Sequence, residues 1–114
     1  MTAANPNRNG TGTVYTAFTA GTAGSIINWM RFTPQGNTAA GSVRAFEYDL
    51  SNYHLLCDYA TGSYNLSGAG TMAAVTIDFI PPPGQMYISA NNSIVGCQNN
   101  GDGPWQLEVF GLDY

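Results

Sequence analysis

The sequence predicts an all-β fold: a two-sheet antiparallel sandwich of about eight strands, jelly-roll-like, with an extended N-terminal arm. Two observations carry that reading. Eight short runs alternate apolar and polar residues, each closed by Gly, Asn or Pro, and no stretch shows the 3.6-residue period of an amphipathic helix. At 114 residues the chain is long enough for one hydrophobic core and too short for two, so residues 13–114 read as a single domain.

Residues 1–12 (MTAANPNRNGTG) are small, polar and rich in Gly, Pro and Asn. They lack the apolar side chains to pack by themselves and read as a flexible arm, free in an isolated monomer and ordered against a neighbour in an assembly. The first strand is expected over 13–19 (TVYTAFT). The second, over 25–33 (SIINWMRFT), places Ile26, Met30 and Phe32 inward with Asn28, and Ile27, Trp29 and Arg31 on the opposite face. Pro34-Gln35-Gly36-Asn37 ends it with turn chemistry. Strands over 42–49 and 53–59 are separated by Leu50-Ser51-Asn52, short enough for a hairpin.

Residues 61–70 read as a long loop. The following strand, 71–80 (TMAAVTIDFI), sets Val75, Ile77 and Phe79 against Thr76 and Asp78, and Pro81-Pro82-Pro83-Gly84 stops it because prolines cannot donate to a ladder. Short strands are expected at 85–90 and 93–98 around Asn91-Asn92, then a turn cluster at 99–104. The last strand, 105–112, puts Trp105, Leu107 and Val109 on one face and Gln106, Glu108 and Phe110 on the other. By parity the core is Met30, Phe32, Val75, Ile77, Phe79, Leu107 and Val109.

Charged residues are 9% of the chain, against about 25% in ordinary domains. A surface of uncharged amides and hydroxyls is less costly to desolvate than one of ions, which suits broad contact with another protein. The net charge is −4, and the only cations are Arg8, Arg31 and Arg44; that excludes direct nucleic-acid binding, which needs several cations on one face. Residues 1–8 have neither the charged nor the apolar region of a secretory signal, and no apolar run approaches the ~20 residues of a membrane span. Cys57 and Cys97 therefore read as free, buried thiols, and their spacing matches no zinc motif.

Candidates for catalysis are sparse, and the expectation is of no enzyme, no cofactor and no metal. His54 and Asp58 fall on one face of a strand and could orient a general base, but no Ser lies in a nucleophile-elbow context. Glu47 and Asp49 share a face near Asp58, an arrangement more often solvated than catalytic. The loop Asn99-Asn100-Gly101-Asp102-Gly103 lacks the register of a calcium loop. What remains is a surface, and its candidate interface residues are Asn5, Pro6 and Arg8 on the arm with the aromatics Trp29, Tyr53, Tyr64 and Tyr87.

Two segments, AGSVRAFEYD through NYHLL (40–56) and IDFIPPPGQMYI (77–88), resemble small virion proteins of tailed bacteriophages, in which a Gly-led strand enters a hairpin and a later strand stops at a Pro-Gly turn. In size, β content and polar arm the chain also resembles capsid cement (decoration) proteins. The resemblance implies a structural protein made in the host cytoplasm and carried on the capsid surface. There it would form a dimer or trimer and bridge neighbouring major capsid protein subunits. A tail- or fibre-associated β-domain and a carbohydrate-binding module are the alternatives.

Overall fold

Alternation becomes two four-stranded antiparallel sheets in the computed structural model, which describes residues 1–64, 76–99 and 104–113. The strands are β1 (Tyr15–Thr19), β2 (Ser25–Pro34), β3 (Gly41–Tyr48), β4 (Tyr53–Thr61), β5 (Ile77–Phe79), β6 (Tyr87–Ile88), β7 (Ser93–Gln98) and β8 (Trp105–Asp113). Sheet A has the order β1-β7-β3-β4. In sheet B, β2 is central, with β8 along one side and β5 and β6 along the other. The core between the sheets takes Val43, Ala45, Cys57 and Ile94 from A, and Ile27, Met30, Phe32, Ile88 and Trp105 from B. Ile77, Phe79, Leu107 and Val109 are half-buried against it. Residues 71–75 of the strand expected over 71–80, Val75 among them, lie outside the described residues, as do 65–70, 100–103 and 114.

Two bulges change the expected side-chain parity. In β2, Ile27 pairs with Gly111 and Trp29 with Phe110, so Asn28 is the extra residue. Ile27 consequently turns into the core at 1% exposure, while Ile26 is on the outer face, the reverse of the expectation. In β4, Ala45 pairs with Cys57 and Phe46 with Leu55, leaving Leu56 as the extra residue. That single residue puts His54 and Asp58 on opposite faces of the sheet.

The N-terminal segment lies against the domain. Met1 exchanges two backbone hydrogen bonds with Trp105, its N donating to the Trp105 carbonyl and its carbonyl accepting from Trp105 N. Ala4 forms a parallel bridge with Gln98, and Asn5 N donates to the Gln98 carbonyl at 2.7 Å. From there the chain crosses the outer face of sheet A. Under it lie Phe46, Val95 and Cys97, a second apolar cluster with Val14, Tyr48 and Tyr53 at its margin. β7 is buried at all six positions because both of its faces are covered. Apart from Met1, which packs against the core, the segment is held by polar groups: its backbone, the Asn5 side chain, and Arg44 and Arg8 about Asp58, which is why its composition reads as an arm.

Cys57 and Cys97 are both free and buried. Cys57 belongs to the inter-sheet core and Cys97 to the outer cluster, so they face opposite sides of sheet A. Burial pushes the Cys57 thiol up to about 11.

Candidate functional site

The two sheets treat their outer faces differently. On sheet A, Cys97, Arg44 and Asp58 stand opposite one another on β7, β3 and β4. Arg44 is buried in the middle of this row, at 6% exposure. Its Nη1 donates to the carbonyls of Asn5 (3.3 Å) and Asn7 (3.5 Å), and its Nε is 3.4 Å from Asp58 Oδ2, an ion pair without hydrogen-bond alignment. Arg8 reaches the same carboxylate at 2.6 Å. Asn5 closes the loop by donating from Nδ2 to the Thr13 carbonyl and accepting from Asn7 N on Oδ1. Gly10, at φ +86°, presses its Cα against the Tyr53 ring, where a Cβ would come within 2.1 Å of Tyr53 Cγ. This face is closed by the chain itself.

The outer face of sheet B is open, and the pairing register lays it out in three rows. Leu112, Ile26 and Tyr87 form the first, across β8, β2 and β6. In the second, Phe110 stacks on Trp29 with ring centroids 4.0 Å apart at 9°. Ile80, just beyond β5, adjoins Trp29 in a shallow depression completed by Arg31 and Asp78. The third row is Glu108, Arg31 and Asp78. Arg31 holds Asp78 with two hydrogen bonds, Nε–Oδ1 at 2.8 Å and Nη2–Oδ2 at 3.2 Å, and its guanidinium carbon sits 4.6 Å from the centre of the Trp29 ring. The paired guanidinium lowers the Asp78 carboxyl below its ordinary range. Ile80 and Leu112 are 72% and 71% exposed, so this end of the face is apolar and open to solvent.

The sequence-derived interface residues divide between these surroundings. Trp29 and Tyr87 share the open face. Asn5 is buried at 1% exposure, and Tyr53 is clamped between Gly10, Phe46 and a stacked Tyr48 at 4.5 Å, so both support sheet A. Tyr64 packs edge-on against Trp105 and pairs its backbone with Thr38. Pro6 and Arg8 are exposed, with Arg8 bound to Asp58. Ile26, Ile80, Phe110 and Leu112 complete the open face; the signal for the last two was the outward parity of even-numbered residues in 105–112.

The candidate catalytic groups are separated. His54 Nε2 lies 2.8 Å from Asp49 Oδ2, while Asp58 is engaged by Arg8 and Arg44. Asp49 Oδ1 also accepts from the backbone N of Ser51 and Asn52, which makes it the clasp of the β3–β4 hairpin. Among the described residues no three His, Cys, Asp or Glu side chains gather closely enough to hold a metal ion.

The clasp has an acid signature. The His54 hydrogen bond, followed by the two backbone N–H groups, lowers Asp49 to about 2 from its ordinary 3.8. A carboxyl depressed by folding stabilises the folded state above its unfolded pKa, and that contribution disappears as pH falls through the folded value. The stability difference between the native chain and Asp49→Asn should therefore shrink as pH falls from about 4 toward 2. Thermal melts of the two proteins across that interval check this.

Comparison of the chain with protein-family models, with curated proteins and with solved structures returns no match.

Proposed function

We propose that this chain is a non-enzymatic structural protein of a tailed-phage virion: a cement protein whose outer sheet B face docks on the capsid shell and bridges neighbouring major capsid protein subunits. The observation that supports this reading most is that open face. It brings two stacked aromatics, three exposed or half-exposed aliphatics and a pre-formed ion pair onto one rigid sheet, while the opposite face is closed by the chain's own N terminus. Aromatic anchors already held by neighbours lose little side-chain freedom on binding, and neutral surroundings are inexpensive to dehydrate. All three arginines are paired within the chain, so the docking is not led by the protein's own cations. Many copies on a repeating lattice would turn modest individual contacts into durable attachment.

Purified protein mixed with capsid shells lacking it should co-sediment, and occupancy should persist at ~0.5 M salt, where exposed ion pairs are largely screened. Ile80→Glu alters an exposed side chain without disturbing the core and should reduce occupancy about tenfold or more. Unchanged occupancy in this variant, or release of most of the protein at moderate salt, overturns the docking mechanism. The carbohydrate-binding alternative draws on Trp29 beside the Arg31–Asp78 pair, a combination that can stack on and hydrogen-bond a sugar. Trp29-dependent retention on glycans, with none on shells, would favour it.

A further inference from the structure

We propose that the free edge of β8 pairs antiparallel with the β8 of a second copy about a two-fold axis at Phe110, joining two sheets B into one continuous sheet. The other sheet edges are all blunted. β5 has three residues and runs into Pro81-Pro82-Pro83, and β6 has two. β1 has five residues with a register break between Thr16 and Phe18, and β4 carries the Leu56 bulge. Short strands, prolines and bulges are the usual devices that keep sheet edges from pairing. β8 has none of them within its own nine residues, each of which has a partner on β2, the extra residue of that pairing being Asn28 of β2; nor does it carry Pro, Lys or Arg. Among the described residues, only Met1 pairs with its second edge, at Trp105.

That one contact fixes which backbone groups are available. Trp105 points its N–H and C=O at Met1, away from β2, and direction alternates along a strand. Leu107, Val109, Gly111 and Asp113 therefore present their N–H and C=O groups at the same edge. A two-fold centred on Phe110 pairs Leu107 with Asp113 and Val109 with Gly111 of the second copy, and the converse. All four residues are used, and pairing stops before Met1. A centre on Val109 would instead set Asp113 against Trp105, whose edge groups Met1 already occupies.

Side chains agree with that register. Phe110 meets its own counterpart as a close, non-hydrogen-bonded pair, which continues the Trp29–Phe110 stack across the axis. Glu108 falls opposite Leu112, and Asp113 opposite Leu107, so no carboxylate faces another although each chain carries a net charge of −4. A second copy of this chain is the occupant whose edge has the matching spacing and whose acids fall opposite apolar residues. The arrangement is isologous and closes at two copies.

Sedimentation equilibrium over a concentration series should show a monomer–dimer system. Leu112→Glu, at an exposed position, sets carboxylates opposite Glu108 twice per dimer and should weaken association about tenfold or more. Adding Glu108→Lys to it should restore the dimer. Phe110→Cys should oxidise to a disulfide-linked dimer, whereas Glu108→Cys, which lies away from its own counterpart, should not. A monomer up to millimolar concentration, a dimer indifferent to Leu112→Glu, or a double variant that fails to recover overturns the proposal. None of these outcomes involves capsids, so they leave the shell-binding reading to its own test.

Discussion

Deletion of residues 1–12 is expected to unfold the domain, or to lower its stability by on the order of 3 kcal/mol or more. The deletion uncovers the cluster of Phe46, Val95 and Cys97 and strips Arg44 of its two carbonyl partners. Re-exposing one Val or Phe side chain costs about 1.5–3 kcal/mol. It also removes Met1 from the β8 edge at Trp105. A single-site version separates docking from chain length. Gly10→Ala keeps every residue but requires a left-handed alanine whose Cβ collides with Tyr53, and should cost about 2 kcal/mol or more. Urea denaturation of both variants provides the measurement. A deletion variant with native stability would return the segment to a free arm.

Phe32→Ala should be the most damaging single core truncation, at about 3–5 kcal/mol. Phe32 is fully buried, lies between Ile77 and Leu107 in sheet B, and meets the Tyr59 ring of sheet A edge-on at 6.4 Å. It is thus the ring that ties the sheets together. Phe79, which has the same inward parity but is half-buried on a three-residue edge strand, should lose less on truncation. Equal losses at the two positions would show that strand centrality is not what sets the depth of this core.

Parity legible in the sequence gave the eight strands, the inward faces of β8 and the placement of Met30 and Phe32. It failed at two points for one physical reason: a bulge inserts a residue without announcing itself in composition. Both bulges fall beside adjacent apolar residues, Ile26-Ile27 before Asn28 and Leu55-Leu56 around the second. Two neighbours with equal claims on the core are the available signal that simple alternation will break. The N-terminal segment was illegible for another reason. Backbone carbonyls, glycines at φ +86° and +87°, and a buried arginine hold it down, and none of these registers as hydrophobic pattern. Arg44 inside the apolar run VRAF was the clue, since a cation at a covered strand position needs acceptors that arrive from elsewhere in the chain. Of the interface residues, Trp29 was legible as an outward aromatic from its strand parity. Asn5 and Tyr53 lie within the packing of the N-terminal segment on sheet A, which composition does not reveal.

In the proposed docking, sheet B meets a partner while sheet A is closed by its own N terminus. Hydroxyl-radical footprinting of the protein, free and bound to capsid shells, reads this directly at side chains. Binding should suppress oxidation at Trp29, Ile80, Tyr87, Phe110 and Leu112, and leave Leu50 and Leu55 as reactive as in the free protein. Protection at Leu50 and Leu55 instead, with the sheet B residues unchanged, would contradict the account.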